Sequence, residues 1–274
     1  MSLPPHDPLL NARLAGYTRK GFSARYQACR PKPPGALVEL LLRLAGTRRP
    51  HVVVDLGSGT GISTRIWAAH ARQVIGVEPL DEMREIAETG DQFPNVEFRP
   101  GVAQRTGLPA ASADIVTCAQ SLHHAEPQGT LAEVDRILKV GGVFAAYDYD
   151  WPPLVHWEVE LAFAEFISRV HELRARHGIR SEQQRWSKEE HVERMRRSSM
   201  FRYLKEIVLH NTEPCTAERL IGFACSIGFV LPVLDLGLPD DELGLTPLRE
   251  ISARVLGDTG LPWHVSYRVR VGVK

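Results

Sequence analysis

Apolar positions in this chain follow two spacings. Residues 52–54 are three consecutive valines, followed by an acid at 55 and glycines at 57, 59 and 61. A short β-branched run closed by glycines predicts a strand buried on both faces. Residues 73–77 (QVIGV), 96–99 (VEFR), 113–120 (ADIVTCAQ) and 143–149 (VFAAYDY) predict four more strands. Between these runs the apolar spacing opens to three and four residues, which predicts helices. One spans 61–71. A second starts at Asp81 as N-cap, with Met83, Ile86 and Ala87 on one face. A third spans 130–138, with Leu131, Val134, Ile137 and Leu138 on one face, and Gly141 and Gly142 turn it into the fifth strand. Helix and buried strand alternate from 36 to 149, which implies right-handed βαβ units and a parallel sheet.

The regular alternation stops after 150. Trp157, Leu161, Ala164, Ile167 and Val170 are spaced for a long helix over 157–177. Further helices are predicted over 187–198, with Ser187 and Glu190 as a capping pair, and over 216–227 and 240–256. Residues 203–210 (YLKEIVLH) are a strand candidate. Residues 265–273 (VSYRVRVGV) alternate with period two and predict a strand.

The chemistry starts at the first glycine turn. Glycines without a Cβ let the backbone turn sharply and approach a ligand, and the following helix offers its first N–H groups there. A dinucleotide fingerprint needs G-x-G-x-x-G, but Ile62 stands at the last glycine position. There is no P-loop lysine either. Asp55, just before the turn, is badly placed for a phosphate and well placed for a cation or amino group. Asp55 with Gly57, Ser58, Gly59 and Gly61 resembles motif I of class I S-adenosylmethionine-dependent methyltransferases. Glu78 ends the second strand, about 20 residues beyond the glycines, where an acid can accept both ribose hydroxyls; the plain alternative is a solvated strand-end acid.

The resemblance extends over about residues 20–150. Residues 21–41 (GFSARYQACRPKPPGALVELL) and 101–127, followed by a helix and KVGG, are similar to the trans-aconitate methyltransferase-like and ubiquinone-biosynthesis-like branch, methyltransferase type 11. This resemblance implies S-adenosyl-L-methionine as cofactor. The implied fold is α/β: a Rossmann-like, mostly parallel sheet with an antiparallel last strand and helical cap insertions. The implied division is an N-terminal lid over 1–35, a cofactor-binding core over 36–150, a helical cap over 151–200, and final strands with a helical insertion over 201–274. Residues 203–210 and 265–273 would be the antiparallel pair, and the helical pieces would cover the sheet's carboxyl edge and shape the substrate pocket.

The family pattern also distributes roles. Tyr26 and Arg30 would fold over the cofactor, beside Pro79 and Met83. Val102, Ala103 and Gln104 would lie along the adenine, with Gln104 where many relatives carry an acid. Gln120 is a further candidate for the methionine end. Arg30 has three readings: a partner for the cofactor's carboxylate, a partner for an acidic substrate, or a structural ion pair. Tyr17, Phe22, Tyr147, Tyr149 and Trp151 are the pocket candidates, although alternate residues on the fifth strand could equally face core and helix.

Methyl transfer is an in-line displacement. Proximity alone can supply about 7–11 kcal/mol, so a dedicated base is optional. His123 and His124 close the fourth strand, and either, His123 before His124, is a base candidate or merely shapes the pocket. His124 replaces an aromatic residue common in relatives. His210 is a further base candidate. His156, His171 and His177 read as surface or lid histidines.

Composition narrows the partners. Lys+Arg and Asp+Glu both number 33, so no whole-molecule field draws nucleic acid. The basic residues around 185–205 are interleaved with acids and read as a solvated face. Cys29, Cys118, Cys215 and Cys225 have neither metal nor disulfide spacing, which fits a reducing cytoplasm. No apolar run suits a leader or a membrane span. No metal is expected, because no acids cluster near the catalytic mouth. The reading is a cytoplasmic enzyme that methylates a small metabolite or natural-product intermediate, at oxygen before carbon and nitrogen, with a homo-oligomer left open. The alternatives are a tRNA or other macromolecule methyltransferase and a non-catalytic cofactor-binding module.

Overall fold

The computed structural model describes residues 7–14, 22–152, 154–180 and 184–274. Strand β1 (Val52–Leu56) pairs in parallel with β2 (Gln73–Glu78) on one side and β4 (Ala113–Ala119) on the other. The full sheet has seven strands in the order β3-β2-β1-β4-β5-β7-β6, with β3 at Val96–Pro100 and β5 at Leu138–Tyr149. The first five are mutually parallel. β7 (Leu261–Val273) runs antiparallel to β5, and β6 (Tyr203–Cys215) antiparallel to β7. Chain order reverses between β1 and β4, so the loops leaving their carboxyl ends diverge and open a crevice.

Both sheet faces are covered. Val53, Ile115, Val143 and Ala145 face a core shared with α3 (Gly35–Leu44), α7 (Trp157–Arg176), α9 (Ala217–Ala224) and α12 (Leu245–Leu256). Val54, Val116, Phe144 and Ala146 face a second core with α6 (Pro127–Ile137) and α8 (His191–Arg197). This two-sided burial is why the parallel strands read as continuous apolar runs. The remaining helices are α1 (Pro8–Leu14), α2 (Phe22–Cys29), α4 (Ile62–Arg65), α5 (Asp81–Thr89), α10 (Leu231–Leu234) and α11 (Asp240–Leu243).

Several elements differ from the sequence expectation. The helix predicted over 61–71 is only the single turn α4. Trp67, Ala68 and His70 then bond three residues back, and Asn95 Nδ2 takes the carbonyls of Ala68 and Ala71 at 2.8 and 3.0 Å. Gly244, at φ +77°, splits the predicted 240–256 helix into α11 and α12. Gly141, at φ +80°, does not start β5 but sits inside it, where the β4 pairing shifts register. The helix predicted from 187 starts at His191, because Ser187 turns its hydroxyl to Glu189 rather than capping. β6 and β7 extend beyond 203–210 and 265–273 and pair over 13 positions. Pro214 is tolerated because β6 is an edge strand.

Candidate active site

A cavity opens at the carboxyl ends of β1, β2, β4 and β5. Its floor is the glycine turn. Gly57 adopts φ +68°, and its N–H and that of Ser58 donate to Val77 O at 2.8 and 3.1 Å, binding the turn to β2. A Cβ on Gly57 would stand 2.6 Å from Ser121 Cβ. Gly57→Ala therefore combines a left-handed strain with a clash. It is expected to cost about 2–3 kcal/mol of stability and to weaken ligand binding, read by thermal melts and calorimetry.

Glu78 is buried beside this turn. Its Oε2 accepts from Gly59 N at 2.9 Å and its Oε1 from Leu80 N at 3.0 Å. Burial pushes its carboxyl up to about 7 despite these bonds. Gly57, Ser58, Gly59, Pro79, Met83, Val102, Ala103 and Gln104 share the wall with it. Ser58 Oγ and Gln104 Nε2 are buried and lack protein partners among the described residues.

Asp55 and Gly61 are off the wall. Asp55 is fully buried and accepts the hydroxyls of Ser63 (2.6 Å), Thr64 (2.8 Å) and Thr117 (2.7 Å). The expected cation or amine is thus replaced by three hydroxyls that tie β1 to α4 and β4. Gly61, at φ +85°, leaves room for Arg65 and Phe98, either of which a Cβ would meet within 2.7 Å.

At the other end, Tyr26, Arg30, Tyr147, Tyr149 and Tyr267 form the wall. The Arg30 guanidinium lies 4.5 Å over the Tyr26 ring and bonds the Tyr149 hydroxyl. It also donates to Ser226 Oγ at 3.1 Å and Ser226 O at 2.6 Å. Burial raises Tyr149 to about 12 and Tyr147 well above its usual value, so both phenols keep their protons. Thr60 Oγ1 donates to Gln27 Oε1 at 2.5 Å, which links α2 to the glycine turn.

Leu122–His124 form one 3₁₀ turn beyond β4. Its two imidazoles lie 3.9 Å apart, but only His124 is on the wall. His123 points behind it, with Nδ1 3.3 Å from Asp148 Oδ1. Burial lowers both, so both rings are neutral near pH 7.

Other expectations need correcting. His210 is exposed on edge strand β6, 3.0 Å from Ser266 Oγ and outside the cavity. Trp151 is 41% exposed and packs against Phe163 and Phe223 instead of the cavity. Phe22 is buried behind the wall against Leu80, Met83 and Leu231. Tyr17 lies outside the described residues. The helices between 157 and 256 contribute no described residue to the wall. Except for α8 on the opposite face, they gather around Trp263 and Phe223, and they back the wall through Ser226 and Phe223 against Arg30 and Tyr149 and through Leu231 against Leu80 and Met83.

A methyltransferase domain family matches residues 54–146. The chain is 31% identical over 139 residues to the uncharacterised methyltransferase YcgJ of Bacillus subtilis, covering 49% of this chain and 53% of that protein. It is 32% identical over 147 residues to Saccharomyces cerevisiae CRG1, classed as an S-adenosylmethionine-dependent methyltransferase, covering 51% and 50%. The chain thus spans about half the length of the curated relatives it matches. A solved structure from Anaeromyxobacter dehalogenans, assigned as a type II methyltransferase, superposes with TM-score 0.63 at 26% identity over 89% of this chain and 97% of the other. Residues 54–146 thus match a methyltransferase domain, and the fold as a whole is similar to that of a solved methyltransferase.

Sequence reasoning missed several site residues. Tyr267 enters the wall because β7 pairs it with Tyr149. Asn11 on α1, 4% exposed, donates to His124 O (2.5 Å) and Gln184 O (3.0 Å) and accepts from Gln184 N (2.8 Å). It thereby fastens α1 and the 184–188 segment to the 3₁₀ turn. No local pattern marks either residue.

A third missed feature lies under the wall. His123 Nδ1, Asp148 Oδ1 and His191 Nε2 are within 4.8 Å of one another. Local spacing carries no hint of this trio, since 123, 148 and 191 belong to three different elements. Asp148 also pairs with Lys188 at 3.0 Å and Arg270 at 2.9 Å, so two cations already balance its charge. A dication would have to share that carboxylate with both. The arginines of α8 pair with Glu190 and Glu193 rather than lining the cavity.

Proposed function

We propose that the protein transfers a methyl group from S-adenosylmethionine to a small-molecule acceptor, at oxygen in preference to carbon or nitrogen. The observation that carries the reading is the polarity of one continuous cavity. A buried carboxylate, Glu78, stands at one end and an aromatic wall with one guanidinium, Arg30, at the other, with the glycine turn between them. Unpartnered buried atoms on four lining residues, Ser58 Oγ, Gln104 Nε2, Gln120 Nε2 and Tyr147 OH, are the polar groups a ligand of this kind would satisfy.

The fit to the cofactor is residue by residue. Glu78 would accept the two ribose hydroxyls. Gln104 and the Val102–Ala103 backbone would border the adenine. Ser58, Gly59 and Arg30 would receive the amino-acid end. When bound, the cofactor supplies an electrophilic sulfonium methyl. The chain's own residues hold the acceptor in line, exclude water and take up a proton where the acceptor carries one. His124, neutral and on the wall, is the imidazole placed for that proton, and His123 stands behind it against Asp148. Pro8 and Ala12 of α1 close one side of the cavity.

The balanced charge and the ion-paired arginines of α8 favour a small acceptor over tRNA. Four free, buried cysteines support a reducing compartment such as the cytoplasm. No helix among the described residues is long and apolar enough to cross a membrane.

Calorimetric titration with S-adenosylmethionine and, separately, NADH tests the cofactor. Micromolar binding of the first alone is expected; binding of NADH alone would overturn the reading. The pH dependence is a second check. The ribose hydroxyls need an ionised Glu78, whereas burial holds its carboxyl at about 7 in the free protein. Binding below pH 7 must therefore release a proton, and affinity should fall by up to about tenfold per pH unit from 7 to 5. An affinity that is flat over this range would remove Glu78 from the contact.

A further inference from the structure

We propose that Lys188 is a positioning residue that locks the Gln120 amide with its NH₂ toward the reacting end of the cavity, selecting an acceptor whose reacting atom is an oxygen. This rests on the methyltransferase reading above.

Gln120 follows β4 and lines the cavity. It adopts φ +52°, unusual for a residue with a Cβ, and its N–H donates to Tyr147 O at 2.9 Å. Its backbone is therefore held at a defined angle between β4 and β5. Lys188 Nζ donates to Gln120 Oε1 at 2.9 Å. An ammonium only donates, so it fixes which end of the amide faces it. The opposite end, Nε2, is buried and has no partner among the described residues. A donor left in that condition calls for a ligand acceptor.

Lys188 is itself immobilised. Its ammonium lies 3.0 Å from Asp148 Oδ1. Arg270 Nη1 holds the other oxygen, Asp148 Oδ2, at 2.9 Å, and Glu206 holds Arg270 Nε at 2.8 Å. The segment carrying Lys188 is docked by the bond from Trp186 N to His123 O, 3.0 Å, and by Asn11 through Gln184. Lys188 therefore stands behind Gln120 as one arm of a network centred on buried Asp148.

Position assigns this donor to the acceptor side. Glu78 ends β2, and β2, β1 and β4 are adjacent, so Gln120 stands two strands away, roughly 10 Å across. It lies beyond the glycine turn and next to Tyr147 and Tyr149. An oxygen nucleophile keeps a second lone pair for this fixed N–H donor while the first attacks the methyl carbon, whereas a neutral amine has only one lone pair and cannot serve both. Lys188 and Asp148 lie outside the matched 54–146 segment, whereas Gln120 lies within it.

The test uses the full chain with S-adenosylhomocysteine by calorimetry, then 4-nitrophenol titrated into the saturated complex and read by absorbance. Lys188→Met should weaken 4-nitrophenol about tenfold or more while changing S-adenosylhomocysteine affinity less than about threefold, and Gln120→Glu should weaken 4-nitrophenol at least about tenfold more than it weakens S-adenosylhomocysteine. Gln120→Glu keeps an oxygen for Lys188 but removes the donor, so it separates donation from simple packing. Lys188→Arg should restore the probe to within about twofold of wild type. Unchanged probe affinity in either variant, equal loss of both ligands, or no 4-nitrophenol binding by the wild-type complex would overturn the proposal. Failure of wild type to bind S-adenosylhomocysteine would instead sink the cofactor reading beneath it.

Discussion

Glu78→Ala is expected to lower the affinity for S-adenosylhomocysteine by about 150-fold, the equivalent of about 3 kcal/mol for two hydrogen bonds to a charged acceptor. The variant also strands the N–H groups of Gly59 and Leu80, which the carboxylate now accepts. Circular dichroism and a thermal melt should therefore accompany the titration. Glu78→Gln keeps an acceptor oxygen but cannot ionise, so it should bind more weakly than wild type without the pH dependence below 7. Unchanged affinity in folded Glu78→Ala would mean that the ligand's hydroxyls lie elsewhere.

Arg270→Ala is expected to give the largest loss of stability, about 3–5 kcal/mol. At the scale of this chain that is roughly 5–9 °C in Tm. Arg270 and Asp148 side chains are 3% and 6% exposed, so water cannot replace the lost guanidinium. Lys188 and His123 would remain beside Asp148, both on its other oxygen. Arg268→Ala is the control. Arg268 lies two residues away on β7 and pairs with Asp150 and Glu206, but it is 40% exposed. Its loss should cost no more than about 1 kcal/mol. Equal Tm shifts for the two variants would show that the buried network does not hold the β5–β7 pairing together.

The parts of the site that were legible in sequence share a cause. The glycine turn, Glu78 and Gln120 stand at the ends of buried strands, and a strand of apolar residues announces its own end. Positive φ at Gly57, Gly59 and Gly61 needs glycine, so these positions are visible without a partner. Asp55 was legible as a position but not as a role. Its three hydroxyl partners come from α4 and β4, and nothing local says that they converge. His123 and His124 were legible as a pair, but which ring faces the cavity depends on how the 3₁₀ turn sits against Asp148. His210 and Trp151 were misplaced because strand register and packing, not residue type, decide which surface they meet.

By itself the sequence determined the strands of the parallel core and most of the helices between them, the glycine turn and its acid, and the resemblance to a methyltransferase domain. These are local properties: period, β-branching, and the backbone freedom of glycine act within about 20 residues. Only the tertiary structure decided that Tyr267 completes the aromatic wall, that Asn11 fastens α1 to the 3₁₀ turn, and that Lys188 reaches Gln120 and Asp148. It also decided that the long insertion covers a sheet face and leaves the cavity to α1, α2 and the strand ends. Those contacts join residues up to 173 positions apart. A single polar side chain carries no local mark of the partner it will meet, because that partner is selected only when strands pair and the buried charges must be balanced.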